Sequence, residues 1–414
     1  MRWNALSDLE INERINQAID ANNNYGQGDI LGAPGTYLDR EEFSPDAPFL
    51  NTAPFLKALI NNPNHIGCHT MGKESSPIFK GTQKLERELI NLCAEEIFQA
   101  EKQTVDGYVA SGGTEANIEA LWIYRNYFIK EYNAKDQQIG VLFSEDTHYS
   151  ITKACDLLRI KPFLLGVDRQ DRNIQLSSLT EALARAMSEG VKYFIVVLNM
   201  STTMFGSVDE IDPVIDLIEE NRLTYKLHLD AAFGGFIYPF SKLNSNHHFG
   251  NPKVSSISID GHKLLQTPYG TGLFLIRKGF MKYVSNQQAQ YVPGLDNTLC
   301  GSRSGANAVV MWMVLMRYGS KGWKKKITAL LNRTDYLGKA LEEMEISYYR
   351  NPYINIVAIN AEQIPAELAN KYELVADSYE RPPLWYKVVV MDHVGYDILD
   401  RFLNELRIAT YQTN

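Results

Sequence analysis

The sequence predicts an α/β fold in which helices cover a mainly parallel sheet, followed by a smaller α+β unit. Two observations support this prediction. Strand-like and helix-like segments alternate from about residue 80 to residue 280, and the run KYFIVVLNM is apolar almost throughout. Alternation of this kind specifies parallel strands joined by helices, and a continuous apolar strand indicates burial on both faces. After Gly305 a long helical stretch leads to two further strands, INIVAIN and WYKVVVMDH.

The chain divides into three parts by pattern. Residues 1–60 combine an amphipathic helix with a segment rich in Gly, Pro and Asn, which we expect to form an extended arm. Residues 61–310 form the predicted large α/β domain, and residues 311–414 form the predicted small C-terminal α+β domain. The change from alternating pattern to long helix marks the boundary between the last two parts.

Composition excludes several classes of function. The formal charge is −8, with no basic block, which argues against a nucleic-acid partner. No apolar run reaches the roughly 18 residues that a membrane span needs, and the first helix lacks the core of a secretory signal. The four cysteines are scattered without a CxxC pair, which disfavours a disulfide framework or a metal site. We therefore expect a cytoplasmic protein without metal.

Polar residues follow several predicted strands at the edge where parallel sheets bind ligands. Gly113 and Thr114 lead from the strand GYVA into a helix, an arrangement that suits a phosphate or simply caps the helix. His148 follows the strand IGVLFSE, and Thr202 and Thr203 follow KYFIVVLNM. Capping of the neighbouring helix or strand end would explain each of these residues as well as ligand binding does.

Four further residues make the pattern more specific. Asp230 ends an apolar strand, and the small Ala232 leaves a flat space beside it. His262 and Lys263 stand at the mouth of an apolar hairpin, where a lysine is costly unless it is solvated, paired or covalently neutralised. A phosphate cradle, a flat gap, a carboxylate, a histidine and a lysine are together what pyridoxal 5′-phosphate (PLP) requires.

The motifs SGGTEAN, DTHYS, HLDAAFGGF, SIDGHK and GSRSGA occur in this order along the chain. In this series the chain resembles the PLP-dependent group II amino-acid decarboxylases over roughly residues 60–400. Some segments resemble the bacterial histidine decarboxylases, and others resemble the archaeal tyrosine/aspartate decarboxylases. The resemblance implies the aspartate aminotransferase-like fold (fold type I), PLP as cofactor, and release of CO₂ from an L-amino acid to give the amine.

The resemblance also implies a role for each matching residue. Lys263 corresponds to the lysine that forms the Schiff base, Asp230 to the acid that pairs with the pyridinium nitrogen, and His148 to the histidine that stacks on the ring. The other implied cofactor contacts are the phosphate ligands Gly113, Thr114 and His262, the ring neighbour Ala232, and Thr202 or Thr203 at the ring edge.

The last motifs concern the substrate and a second subunit. YVPGLDNTLCGSR resembles a mobile loop whose tyrosine, here Tyr291, protonates Cα; an ordinary loop aromatic is the alternative. The GSR segment resembles one that enters a neighbouring subunit's site, with Ser302 on the phosphate and Arg303 in the pocket, which implies a homodimer with shared sites. Where many relatives carry an arginine for the substrate carboxylate, this chain has Lys387, so Arg303 or a residue near His69 is an alternative anchor.

Two other functions compete with decarboxylation. One is a PLP enzyme of the same fold that breaks another bond, such as an aldehyde synthase or a Cα–Cβ lyase; Tyr291 argues against it. The other is a cofactor-binding homologue without turnover, which the joint presence of Lys263, Asp230 and His148 disfavours. Histidine, tyrosine, other aromatic amino acids, aspartate and glutamate remain candidate substrates, with a slight preference for an aromatic or imidazole side chain.

Overall fold

Seven strands form the larger sheet of the protein, whose computed structural model describes residues 1, 3–22, 56–60, 63–72, 77–285 and 295–413. With strands numbered along the chain, their order in this sheet is β2 (Val105–Ala110), β8 (Gly272–Arg277), β7 (Val254–Asp260), β6 (Thr224–Asp230), β5 (Tyr193–Asn199), β3 (Ile139–Ser144) and β4 (Lys161–Leu165). Within this sheet β8 alone runs against its neighbours. The predicted mainly parallel sheet is therefore confirmed.

Helices cover both faces of the larger sheet, as β5 shows. Phe194 and Val196 enter one hydrophobic cluster, whereas the alternating Ile195 and Val197 enter another. The first cluster is completed by the helices α1 (Asp8–Asp20), α3 (Lys80–Asn91), α6 (Leu176–Ser188), α7 (Ile211–Glu220) and α9 (Gly305–Glu343). The second is completed by α4 (Gly113–Tyr132) and α5 (Ser150–Leu158).

The first helix is fixed by its own sequence and by two neighbours. Ser7 caps it, since the Oγ atom of Ser7 accepts from the backbone N of Glu10 and Oε2 of Glu10 accepts from the backbone N of Ser7. Its apolar face, with Ile11 and Ile15, is buried against α3 and α9.

Helix α9 bends where the N-terminal segment crosses it. Gly319 has φ 60°, and a Cβ atom there would collide with the backbone nitrogen of Ala5. Glycine is therefore required both by the backbone conformation and by the close approach.

A four-stranded antiparallel sheet forms the smaller unit. Its strands are, in order, β10 (Tyr348–Tyr349), β11 (Ile356–Asn360), β13 (Trp385–Val389) and β12 (Val375–Ala376). They pack with α10 (Ala366–Lys371) and α11 (Tyr396–Thr413) around a third hydrophobic cluster. The predicted smaller α+β unit is confirmed.

Among the shorter elements are the helices α2 (Lys57–Ile60) and α8 (Tyr238–Ser241), and the strand β1 (Asn64–His65), which pairs with β9 (Arg303–Ser304). No helix in the described ranges combines the length and apolar character needed to cross a membrane.

Candidate active site

Five parallel strands, β2, β3, β5, β6 and β7, end at one edge of the larger sheet, and the polar residues that follow them line one cavity of about 290 Å³. Nine residues predicted from the sequence lie in its wall: Gly113, Thr114, His148, Thr202, Thr203, Asp230, Ala232, His262 and Lys263. The parallel arrangement thus brings together groups that are separated by up to 150 positions in the chain, and their individual roles stay predictions.

Lys263 lies in a π-helical turn, Gly261–Leu265, directly after β7. Its Nζ atom is 3.0 Å from Oδ2 of Asp260, and Oδ1 of Asp260 accepts from the backbone N of Gly113 at 2.5 Å. Asp260 therefore links the lysine to the start of α4. Sequence reasoning did not select Asp260, although its alternation with Ser256 and Ser258 already placed it on the polar face of β7.

Small residues allow the backbone to approach closely at the start of α4. A Cβ atom on Gly113 would lie 3.1 Å from Cβ of Ala232 and 3.3 Å from Oδ2 of Asp260. One on Gly112 would lie 3.1 Å from Cε1 of His262. Since Nδ1 of His262 faces the carbonyl oxygen of Thr271 at 2.9 Å, this nitrogen carries a proton and Nε2 faces the cavity side, 3.5 Å from Asp260.

Asp230 ends β6 as a buried carboxylate that accepts several hydrogen bonds. Its Oδ2 atom accepts from Nδ2 of Asn117 at 2.8 Å, and its Oδ1 atom accepts from the backbone N of Ala232 at 3.1 Å. The hydroxyl of Ser258 lies 3.4 Å from Oδ1. Donors of this kind stabilise the ionised carboxylate, which a protonated pyridine ring requires.

His148 is half-buried beside Asp230 and Lys263. Burial lowers the pKa of its imidazole and the charge of Lys263 lowers it further, whereas Asp230 acts in the opposite direction. The ring is therefore neutral at physiological pH. Its Nδ1 atom lies 2.9 Å from Oγ of Ser150.

The loop after β5 adds a residue that sequence reasoning passed over. Ser201 has φ 81°, an uncommon conformation for a serine, and its buried Oγ atom lines the cavity with no hydrogen-bond partner among the described residues. A strained residue with an unsatisfied donor fits a site shaped for a polar ligand. Thr202 is buried and its hydroxyl lies 2.7 Å from that of Ser207, whereas Thr203 is exposed at the rim.

Four predicted residues that the structure describes lie outside this cavity: Arg303, His69, Ser302 and Lys387. Arg303 is buried and donates from Nη1 to Oε1 of Glu86 at 2.5 Å and to the carbonyl of Val109 at 3.0 Å. His69 lies beside the same carboxylate, with Nε2 3.3 Å from Oε2 of Glu86. Although burial acts to raise the pKa of Glu86, the charge of Arg303 and the neighbouring histidines hold it well below its usual value.

Ser302 and Tyr291 also stay untested as site residues. The Oγ atom of Ser302 accepts from Nδ2 of Asn64 at 3.2 Å, beside the pair of strands β1 and β9. Tyr291 lies outside the described residues. The predicted roles of Ser302 and Arg303 depend on the predicted second subunit, and the role of His69 as an alternative anchor for the substrate carboxylate stays a prediction.

Lys387 reaches the cavity rim from the smaller sheet. Its Nζ atom donates to the carbonyl oxygen of Thr203 at 3.1 Å. Burial lowers its pKa, and the charge of Lys263 lowers it further, so the two amines lie close enough to repel each other. Lys387 also lines a second cleft of about 870 Å³, which shares His148, Tyr149 and Thr203 with the cavity.

The comparisons with known proteins agree with this geometry. The family described as "Pyridoxal-dependent decarboxylase conserved domain" matches residues 49–350. The chain belongs to the pyridoxal-dependent decarboxylase family. It is 46% identical to the tryptophan decarboxylase of Clostridium sporogenes over 405 residues, which cover 98% of this chain and 97% of that protein. It is also 30% identical to a probable L-tyrosine/L-aspartate decarboxylase of Methanocella arvoryzae over 334 residues, 80% of this chain and 84% of that one.

Solved structures confirm the fold of this pyridoxal-dependent decarboxylase. The L-methionine decarboxylase of Streptomyces sp. 590 superposes with a TM-score of 0.72 at 21% identity, covering 97% of this chain and 96% of that one. The sphingosine-1-phosphate lyase of Burkholderia pseudomallei superposes with a TM-score of 0.69 at 18% identity, covering 93% of each chain. The expected fold type I architecture is confirmed.

Membership of the family confirms the predicted enzyme class, cofactor and reaction. The protein is a PLP-dependent carboxy-lyase that removes CO₂ from an amino acid. When bound, PLP withdraws electrons from the bond between Cα and the carboxylate. The residues present fit this cofactor, because the cavity offers a lysine, a buried carboxylate that accepts two N–H groups, a neutral imidazole, and a helix start where glycines leave space.

Proposed function

We propose that the protein decarboxylates an aromatic L-amino acid, with L-tryptophan as the first candidate, to give the corresponding arylalkylamine. The near full-length similarity to a tryptophan decarboxylase supports this proposal. The observation that carries it is the cleft that opens beside His148, because its wall presents aromatic side chains where a substrate side chain would extend from the cofactor cavity.

Three aromatic residues shape this cleft. The ring of Tyr149 lies 4.1 Å from that of His148 and is largely exposed, so it stands where the cavity and the cleft meet. Deeper in, Phe205 and Trp385 meet edge to face with ring centroids 5.7 Å apart. Aromatic walls of this kind favour an indole or phenyl side chain, since edge-to-face and stacked contacts add to its burial.

Two of the arginines in the cleft are already paired. Arg172 donates to Asp146 from Nε at 2.9 Å, and its guanidinium lies 3.9 Å from the centre of the Phe205 ring. Arg381 donates to Asp377 at 3.1 Å. These pairs reduce the attraction of the cleft for an acidic side chain, which favours an aromatic substrate over aspartate or glutamate.

The α-carboxylate of the substrate is best placed against Lys387. Among the described residues Lys387 forms no ion pair, and it lines the cleft while its amine bonds the carbonyl of Thr203. A lysine attracts a carboxylate as a point charge, so it fixes the orientation of the carboxylate less firmly than an arginine does. We assign the covalent attachment of the cofactor to Lys263, the contact with its ring nitrogen to Asp230, and the stacking contact to His148.

The phosphate and the dimer complete the proposal. We assign the phosphate to the amides at Gly113 and Thr114 and to His262, which lie at one end of the cavity. Ser302 lies outside the cavity of its own chain, so a contact with phosphate would occur in the site of a second subunit, within a homodimer. The cytoplasmic location stays a prediction from the sequence.

Purified enzyme supplied with PLP and a panel of amino acids tests the substrate. We expect kcat/KM to be at least tenfold higher for tryptophan than for histidine, aspartate or glutamate, with the amine identified by mass spectrometry. A preference for aspartate or glutamate would contradict the aromatic assignment while leaving decarboxylation itself intact.

The attachment site is tested separately by Lys263→Ala. This variant should lose both the visible absorbance of the bound cofactor and turnover, because Lys263 is the only lysine among the described residues that line the cofactor cavity. Lys278→Ala, which changes an exposed lysine beyond β8, is the matched control and should retain both. Normal CO₂ release by Lys263→Ala would refute the assignment of Lys263.

A further inference from the structure

One buried side-chain amide connects two groups that face the cofactor cavity. Asn117, in the second turn of α4, is 1% exposed. Its Nδ2 atom lies 2.8 Å from Oδ2 of Asp230 and 2.9 Å from Oγ of Ser150. Its Oδ1 atom lies 2.9 Å from Nε2 of His228 and 2.8 Å from Oγ of Ser258. Both donors and both acceptor positions of the amide are therefore used.

The direction of the amide follows from Asp230. An ionised carboxylate accepts hydrogen bonds only, so the nitrogen of Asn117 faces Asp230 and its oxygen faces His228. The Nε2 atom of His228 must then carry a proton. Burial lowers the pKa of His228 to about 4, although Asp230 acts to raise it, so the ring is neutral and its Nδ1 atom accepts.

Two buried hydroxyl groups, of Ser256 and Tyr124, extend this series of hydrogen bonds from His228 away from the cavity. Oγ of Ser256 lies 2.7 Å from Nδ1 of His228 and therefore donates to it. The phenol of Tyr124 donates to Ser256 at 2.6 Å. Tyr124, Ser256 and His228 are all 0% exposed. Every proton in the chain Tyr124–Ser256–His228–Asn117 thus points towards Asp230, and the aligned dipoles stabilise its negative charge.

The second amide hydrogen of Asn117 is donated to Ser150, which in turn contacts His148. Ser150 accepts from Asn117, so its own hydroxyl hydrogen is free to donate to Nδ1 of His148 at 2.9 Å. The backbone N of Ser150 faces the same nitrogen at 3.3 Å. With Nδ1 accepting, the neutral imidazole of His148 carries its proton on Nε2.

We propose that Asn117 is a positioning residue whose single amide holds Asp230 as the ionised partner of the cofactor ring and holds the proton of His148 on Nε2. This inference rests on the roles proposed above for Asp230 and His148. Aspartate at position 117 has the same size but cannot donate. It would place a second negative charge against Asp230 and would turn the hydroxyl of Ser150 away from His148.

Nitrogen NMR of the holoenzyme labelled with ¹⁵N-histidine tests the proton positions directly. His148→Gln and His228→Gln identify the two signals by their loss. We expect both rings to be neutral and protonated on Nε2 near pH 7.5. A proton on Nδ1 of either ring would overturn the proposal. This readout does not involve a substrate, so it separates a failure of the network from a failure of the substrate assignment.

Variants test the consequence for the cofactor. Asn117→Asp should lower kcat roughly 10- to 100-fold, the range for losing a hydrogen bond to a charged group, with a smaller change in KM and weaker PLP binding. His228→Gln, which can keep a donor near the Nε2 position, should retain most activity, whereas His228→Leu should not. Asn126→Asp, the same change on the same helix but facing Tyr283, is the control.

The control should keep wild-type kcat and PLP affinity. Wild-type kcat and PLP affinity in Asn117→Asp, or equal losses in His228→Gln and His228→Leu, would refute the proposal. If the Asn117→Asp variant fails to fold, the NMR measurement on the wild-type enzyme still tests the proposed proton positions.

Discussion

Lys387 donates from Nζ to the carbonyl oxygen of Thr203 at 3.1 Å, so the smaller sheet contributes a cation at the rim of the cofactor cavity. The contact joins residues 184 positions apart and brings β13 beside the loop that follows β5. Burial lowers the pKa of Lys387 and the charge of Lys263 lowers it further, so the two amines are neighbours, which supports the proposed contact between Lys387 and the substrate carboxylate.

Replacement of this cation should weaken substrate binding more than turnover. We expect Lys387→Met to raise KM for the amino acid roughly tenfold or more, the range for a hydrogen bond to a charged group, with a smaller change in kcat. The KM of Lys387→Arg should lie between the values of the wild type and of Lys387→Met. Steady-state kinetics of amine formation measure both constants. Lys371→Met, an exposed change in the same domain, is the control, and an unchanged KM in Lys387→Met would move the carboxylate anchor elsewhere.

A methyl group at the start of α4 should weaken cofactor binding. In Gly113→Ala the new Cβ would stand 3.1 Å from Cβ of Ala232 and 3.3 Å from Asp260, tighter than ordinary contact, so this end of the cavity must shift. We expect the PLP dissociation constant to rise on the order of tenfold, since overpacking costs about 1–3 kcal/mol. Titration of the apoenzyme with PLP measures it.

Gly322→Ala is a matched control for this crowding. Among the described residues its new Cβ would meet no atom closer than 3.7 Å, and in a helix alanine is favoured over glycine by about 1 kcal/mol. We therefore expect unchanged PLP affinity and a slightly higher melting temperature. Equal PLP affinity in Gly113→Ala and wild type would show that this turn does not face the phosphate.

If each active site contains residues of both subunits, two inactive variants should regain activity when they form mixed dimers. Lys263→Ala removes the attachment site, and Ser302→Trp should block the phosphate contact in the partner's site. Hybrid dimers would then hold one site with both defects and one intact site. After mixing equal amounts we expect roughly a quarter of wild-type activity, because about half of the dimers are hybrids. Activity no higher than the sum of the separate variants would contradict sharing.

The sequence predicted best what depends on the ends of strands. Asp230 is the last residue of β6, and Lys263 and His148 lie within four residues of the ends of β7 and β3, so knowing that the sheet is parallel was sufficient to bring them together. Asn117 and Asp260 were missed because their roles depend on side-chain contacts across 113 and 147 positions, which no local pattern reveals.

Residues near the predicted second subunit were the hardest to place. Arg303 was expected to line the pocket of a neighbouring subunit's site, which a single chain does not test; within one chain it lies buried against Glu86. A buried arginine beside a buried glutamate is a common structural arrangement, so its type and position alone did not distinguish a structural role from substrate binding. Ser302 illustrates the same limit, because its predicted partner belongs to another chain.

Buried neutral histidines should make the protein sensitive to mild acid. Burial lowers the pKa to about 4 for His247 and for His228, and to about 3 for His69. In the unfolded chain a histidine takes up its proton near pH 6.5. Between pH 6.5 and 4 the unfolded state therefore binds more protons, and stability is lost as the pH falls, by about 1.4 kcal/mol per pH unit for each histidine.

His247 isolates one such contribution. Its Nε2 atom donates to the carbonyl oxygen of Asp209 at 2.8 Å, a bond that the amide of His247→Gln can keep while losing the titration. Urea unfolding of wild type and variant at intervals from pH 6.5 to 4.5 should show a shallower pH dependence of the free energy of unfolding in the variant.

Burial raises the pKa of Asp209 to about 7, which gives the opposite slope, but this carboxyl is present in both proteins and its effect cancels in the difference. His393→Gln, at an exposed site, should leave the slope unchanged. Identical slopes in wild type and His247→Gln would mean that His247 already takes up its proton in the folded protein, and that its burial is offset by contacts with the Asp209 loop.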